Sequence, residues 1–163
     1  MICAGCGEEH YANPKPCGEA VVVSDGRVLL LRRGHEPELG AWDVPGGFCE
    51  AAEHPMHAAE RELAEELGLR GCATAYIGTW IEAYGPPDPD GVVTYTSVGA
   101  YLIALEDPGQ APTLQPGEAL EARWFPLDRL PERLAFAAHA RPMLAAAAAM
   151  IAGTAPALPD RTW

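Results

Sequence analysis

One stretch limits the possible folds of this chain more than any other: GFCEAAEHPMHAAERELAEELGL, residues 47–69. Pro55 suits a first helical position, where its missing N–H would have had no intrahelical partner. Gly68 reads as the glycine just past a helix end. Between them Met56, Ala59, Leu63 and Leu67 recur at helical spacing and predict a single buried stripe. A helix of this kind covers another layer of structure.

The charges on that helix break local rules. The stretch holds six glutamates and one arginine. Glu62 lies three residues from Glu65 and four from Glu66, so all three share a face, and each like-charge pair costs about 0.2–0.5 kcal/mol. Glu65 and Glu66 also sit at the negative end of the helix dipole. The three fall within an arc of about 100° beside the apolar stripe, on the rim between core and water. Two unit charges about 4 Å apart interact by ~4 kcal/mol at an effective dielectric near 20, so protons or cations must neutralise such a cluster. Hard divalent cations such as Mg²⁺ bind one or two carboxylates together with substrate phosphates. One guanidinium, Arg61, cannot balance six glutamates and reads as a lock on Glu53 or another carboxylate. A merely solvated acidic face is the competing reading.

Bulk properties narrow the rest. At 163 residues and 48% apolar content the chain fits one domain with a real core. A net charge of -12 disfavours a nucleic-acid polymer as partner but admits a small phosphorylated ligand whose charge metal ions meet. No apolar run reaches about 18 residues and the N-terminus lacks a signal-peptide pattern, so no membrane is expected. Five cysteines, an odd number, fit a reduced, cytoplasmic setting better than a disulfide scaffold.

Along the chain, residues 1–18 read as a Cys-containing arm. AVVVSDGRVLLLRR, residues 20–33, predicts a β-hairpin turning at Ser24-Asp25-Gly26. GHEPELGAWDVPGGF, residues 34–48, reads as a loop without regular structure. After the helix, CATAYIGTWIEAY and VTYTSVGAYLIAL predict strands around a loop at 85–91, and ARWFPL a further short strand. Leu134 to Ala152 predicts an alanine-rich helix, interrupted near Pro142 and stopped by Gly153. Residues 154–163 form a tail. The order of strands, helix, strands, helix implies an α/β or α+β sandwich, a mixed β-sheet between helices in a single domain over residues 19–153.

The residues Gly47, Glu53 and Arg61-Glu62-Leu63-Ala64-Glu65-Glu66-Leu67-Gly68-Leu69 together resemble a complete Nudix box. GAWDVPGGF before it and EARWFPLDRLP after it are similar to flanking sequences of Nudix hydrolases, and the resemblance covers most of residues 12–135. It implies an α/β/α Nudix sandwich and Mg²⁺-dependent (or Mn²⁺-dependent) hydrolysis of a nucleoside diphosphate linked to another moiety. It implies that Glu62, Glu65 and Glu66 bind the metal, with the Gly47 carbonyl as a further ligand and Glu53 with Arg61 as support. The expected reaction is attack of water on one phosphorus, with a glutamate as base. Glu66 or Glu62 could serve, but Glu118, with Glu121 second, matches the later-loop carboxylate of some members. Surface acids are the competing reading for both.

For the substrate, the resemblance favours Arg33 over Arg32 as a phosphate contact, because successive strand residues face opposite sides. Trp80, Tyr84 and Tyr95 are candidates for stacking on a base, and Trp42 for packing its loop. YANPKP and LAFAAHARPML resemble the ADP-ribose/NADH pyrophosphatase-like group, although the SQPWPFPxS pattern of NADH pyrophosphatases is missing. The N-terminal Cys3, Cys6, His10 and Cys17 resemble the second half of a zinc ribbon, which leaves tetrahedral zinc and free thiols both open. Cys49 and Cys72 read as ordinary thiols. The expected partner is a small nucleotide-derived substrate such as ADP-ribose, NADH or a nucleotide sugar, and the alanine-rich helix and arm could support a homodimer. House-cleaning of nucleoside triphosphates and a non-catalytic nucleotide-sensing module are the alternatives.

Overall fold

A computed structural model describes residues 2, 4–9, 11 and 13–154. Strand β1 (Lys15–Ser24) is its spine. Along its first half β1 lies between two neighbours, parallel to β6 (Tyr95–Leu105) and antiparallel to β4 (Gly46–Phe48). Its far end turns into β2 (Arg27–Arg33). Asp25 and Gly26 take φ of 48° and 69° there, the left-handed pair that a tight hairpin requires. β2 pairs with β3 (Trp42–Asp43) and β7 (Ala119–Pro126), and β5 (Gly71–Ala83) pairs with β6 at the opposite edge. The result is a mixed seven-stranded sheet.

Helices α1 (Pro55–Leu67) and α2 (Ala137–Ile151) cover its two faces. Alternation along β1 and β2 sorts the side chains. Ala20, Val22, Leu29 and Leu31 join Ala59, Leu63 and Leu67 of α1, whereas Val21, Val28 and Leu30 join Met143, Leu144 and Ala147 of α2. Both strands are therefore apolar on both faces, as the middle layer of a sandwich must be. Fully burying each leucine contributes roughly 1.5–3 kcal/mol. The expected α/β/α sandwich is the fold.

Two expectations need correction. The segment 34–48 does not lack regular structure: β3 and β4 lie within it, because β2 and β1 supply partners for backbone groups that the Gly- and Pro-rich sequence would not order alone. Nor does Pro142 interrupt the second helix, which runs unbroken from Ala137 to Ile151. The ring occupies the second turn, where it forgoes only the bond to Ala138 O. The remaining boundaries follow their local signals. α1 starts at Pro55 and ends where Gly68 adopts φ 64°, and Gly153 takes φ 67° beyond α2. β1 begins at Lys15, inside the stretch read as the arm, while 155–163 of the tail lie outside the described residues.

The position of α1 depends on an absent side chain. A Cβ at Gly18 would overlap Pro55 O and come within 2.7 Å of Ala59 N, both of them helix backbone. Gly18→Ala is therefore expected to push α1 off β1, costing about 1–3 kcal/mol in urea unfolding. An unchanged midpoint would show that the helix is not seated on this glycine.

Candidate active site

The first half of β1, the end of β2, residues 43–48, the start of β6 and the C-terminal half of α1 enclose a cavity of about 310 Å³. Glu62, Glu65, Glu66 and Gly47 line it, together with Arg33, Tyr84 and Glu118. Of the other candidates, Glu53 and Arg61 sit behind the glutamates, and Trp80, Tyr95 and Glu121 do not line the cavity. Trp80 packs among the α2-side core residues and lies over Gly78, away from the cavity. Glu121 is ion-paired with Arg123 and does not line the cavity. Tyr95 is 47% exposed, and Trp42 packs edge-on against Phe125, the loop role expected of it.

Arg61 organises the carboxylates. Its guanidinium donates twice to Glu53, through Nε at 2.9 Å and Nη2 at 2.9 Å, and Nη2 also reaches Phe48 O. Nη1 donates to Glu62 Oε1 at 2.8 Å and to Glu65 Oε2 at 2.9 Å. Hydrogen bonds from Arg61 first, then the amide of Glu50, hold the Glu53 carboxyl down to about 2. The expected Glu53–Arg61 lock is therefore formed, and it ties α1 to the turn before it.

Glu66 is the outlier. It is buried, and its Oε2 accepts from Gly46 N at 3.0 Å. Arg61 does not reach it. Burial pushes its carboxyl up to about 9, and the charges of Glu62 and Asp43 outweigh the pull of Arg33. Burial also raises Glu62 against the pull of Arg61. Gly47 has no side chain because Glu62 occupies the place a Cβ would take. Among the described residues no three His, Cys, Asp or Glu side chains converge as a ready-made metal cage. Arg61 draws Glu62 and Glu65 onto itself instead.

On the opposite wall Arg33, Tyr84 and Glu118 are expected from the sequence, whereas Phe48, Phe136, Glu19 and His139 are not. Arg33, only 8% exposed, donates to Asp43 Oδ2 at 2.9 Å and to Pro37 O at 2.8 Å. Strand alternation buries Arg33 while leaving Arg32 exposed, bonded to Gly40 O. Phe48, Tyr84 and Phe136 form an aromatic run, with centroids 5.0 Å apart for the first pair and 5.7 Å for the second. Glu19 and His139 complete the floor. Glu118 stands at the rim, half-exposed, 2.9 Å from His35 Nε2.

Cys3 and His10 of the possible zinc set lie outside the described residues. Of the remaining pair, Cys6 is exposed, whereas Cys17 is buried in β1, where burial pushes its thiol up to about 12.

A sandwich with a glutamate-rich helix end facing an arginine and aromatic rings is the arrangement of a Nudix fold, and the comparisons agree. The chain matches the NUDIX domain family over residues 18–147 and belongs to that family of hydrolases. It is 32% identical to an ADP-ribose pyrophosphatase of Methanocaldococcus jannaschii, over 77% of this chain and 69% of that protein. It is 31% identical to the NAD-capped RNA hydrolase NudC of Stutzerimonas stutzeri, over 80% of this chain but only 43% of that protein. The crystal structure of a MutT NUDIX hydrolase from Burkholderia pseudomallei superposes with a TM-score of 0.68 at 30% identity, covering 82% of this chain and 97% of that one. Family members generally use Mg²⁺ or Mn²⁺ and act on small nucleotide-derived substrates. No described helix is long and apolar enough to cross a membrane.

The strained ionisation of Glu66 has a measurable consequence. Its carboxyl titrates near 4.5 in the unfolded chain but near 9 when folded. A raised acid destabilises the metal-free fold progressively as pH rises from 4.5 to about 9. Glu66→Gln is therefore expected to raise the melting temperature in chelator, with a margin over wild type that widens across that window. A margin independent of pH would contradict the assignment.

Proposed function

We propose that the chain hydrolyses the pyrophosphate bond of a nucleoside diphosphate linked to another moiety, of the ADP-ribose or NADH type. The observation that carries this reading is one cavity holding the box glutamates, a buried arginine and an aromatic wall. The similarity to an ADP-ribose pyrophosphatase and to NudC supports the substrate class.

The donor set suits a hard divalent cation: carboxylate oxygens of Glu62, Glu65 and Glu66 and the Gly47 carbonyl, with Glu66 short of any cation of its own. Bound there, Mg²⁺ or Mn²⁺ would supply positive charge against the phosphoryl oxygens and acidify nearby water. The protein's own groups do the rest. Arg61 stays anchored on Glu53 and fixes the spacing of Glu62 and Glu65. Arg33, oriented by Asp43, is placed to hold a phosphoryl oxygen. The aromatic wall receives the nucleoside. Glu118, which lines the cavity free of Arg61, takes one proton from the attacking water as its oxygen bonds to phosphorus and the bridging P–O bond breaks.

With Mg²⁺ or Mn²⁺ present, ADP-ribose is expected to yield AMP and ribose 5-phosphate. Glu66→Gln should lower kcat by roughly 10²–10³-fold, the scale seen when a preorganised charge-stabilising group is removed. Glu118→Gln should lower kcat with KM little changed, by about 10²-fold or more. Release of pyrophosphate from a nucleoside triphosphate, with diphosphate derivatives untouched, would assign the chain to triphosphate house-cleaning instead. Full activity in Glu66→Gln would remove the proposed site.

A further inference from the structure

The floor of the cavity holds a three-residue device that the hydrolysis itself does not use. Glu19 of β1, 8% exposed, meets His139 of α2, whose Nε2 lies 2.9 Å from Glu19 Oε1. The other ring nitrogen of His139, Nδ1, lies 2.5 Å from Glu82 Oε2, and the His139 amide donates to the same oxygen at 3.1 Å. Phe136 stacks on the imidazole at 6.1 Å. Burial pulls the imidazole down, but the bond to Glu19, its charge and then Glu82 outweigh this and take it up to about 9. With both nitrogens protonated, His139 donates to Glu19 on one side and Glu82 on the other. Oε1 of Glu19 is thereby committed.

Its second oxygen is not. Glu19 Oε2 is fully enclosed and has no hydrogen-bond partner, and the same is true of Arg33 Nη2. Both residues line the cavity shared with the box glutamates. A buried polar atom left without a partner is costly, so the site is built for a ligand that supplies one. The group that meets Glu19 Oε2 is not a phosphate: a carboxylate oxygen accepts, and ionised phosphoryl oxygens offer it no hydrogen to accept. What fits is a neutral donor on a flat ring system, beside Phe48, Tyr84 and Phe136.

We propose that Glu19 determines which nucleoside the cavity accepts: Oε2 takes a hydrogen bond from a donor on the nucleoside half of the substrate, foremost the exocyclic amino group of the base. His139 and Glu82 are positioning residues: they hold the carboxylate through its other oxygen and leave Oε2 without a protein partner. The assignment rests on the nucleoside diphosphate reading above and adds a selection rule to it. Amino-bearing bases are accepted and their keto counterparts refused.

Glu19→Gln tests this directly. Gln keeps the shape and, with its oxygen accepting from His139, turns an NH₂ donor toward the cavity where an acceptor stood. Binding of AMP, IMP, 2′-deoxy-AMP and 3′-deoxy-AMP is measured by calorimetry in wild type and variant, with kcat/KM for ADP-ribose and its inosine analogue alongside. Wild type should favour AMP over IMP by about tenfold or more, the range of one hydrogen bond to a charged group, and the variant should abolish or invert that ratio. Glu19→Asp, which keeps the acceptor, should retain the preference. Loss of affinity on removing a ribose hydroxyl in wild type but not in Glu19→Gln, with AMP and IMP bound alike, would place the donor on the ribose and overturn the base-selection rule. Equal wild-type affinity for all four nucleotides, no binding of any, or a uniform change in Glu19→Gln would overturn the proposal. Should Glu19→Gln not fold, Glu19→Ala is measured in its place, and a preference for AMP that survives that substitution would overturn the proposal. Discrimination by Glu19 without turnover of any diphosphate would instead sink the hydrolase reading and keep this one.

Discussion

Everything about this site follows from a charge imbalance around one guanidinium. Arg61 can satisfy Glu53, Glu62 and Glu65, and does so with hydrogen bonds of 2.8–2.9 Å. It does not satisfy Glu66, which is buried one helical turn beyond Glu62 and held only by a backbone amide. The fold accepts that cost because α1 is fixed on both sides. Leu63 and Leu67 are sunk in the core, and Gly18 lets the helix backbone sit directly on β1. A helix so seated cannot rotate its glutamates into water. The deficit at Glu66 is thus a property of the architecture, and on the proposed reading a cation from outside the chain would relieve it.

The cavity accordingly has two chemically distinct ends. On the proposed reading the box glutamates serve the phosphate and cation, and Arg33, 5.0 Å over Phe136, stands between the two ends. Glu19, His139 and the aromatic residues face a part that is neutral, flat and rich in donors. A carboxylate at each end would be redundant if both served the phosphates. They differ in what holds them: an arginine on the helix side, a doubly bonded imidazole on the other. The molecule separates the chemistry of bond cleavage from the choice of what is cleaved, and a ligand must satisfy both ends at once.

How far the sequence foretells this depends on how local each signal is. The limits of α1 were readable because Pro55 and Gly68 act within one turn of the backbone, and the β1–β2 hairpin because Asp25-Gly26 dictates positive φ. The box glutamates betrayed themselves by violating helix electrostatics. β3 and β4 escaped because their hydrogen bonds come from strands distant in the chain, such as Gly47 opposite Gly18. Trp80 packs with the core, the reading that competed with base stacking for it, on a strand whose register shifts at Ala73/Ala75 and Tyr76/Gly78. Glu19, Glu82 and His139 come from β1, β5 and α2, so no spacing rule links them. Only a glutamate leading into the apolar run AVVV hinted at a buried partner. Phe136 reaches the cavity through a left-handed backbone, φ 46°, which its residue type gives no reason to expect.

The central claim is that the Glu66 end of α1 is an incomplete site finished by a divalent cation. Anomalous diffraction from crystals soaked in Mn²⁺ tests it most directly, because it locates the ion without relying on turnover. The account predicts a peak within coordination distance of Glu66, shared with Glu62, Glu65 or the Gly47 carbonyl, and its loss in crystals of Glu66→Gln. Mn²⁺ bound only elsewhere on this acidic surface, with Glu62 and Glu65 still held by Arg61, would contradict it.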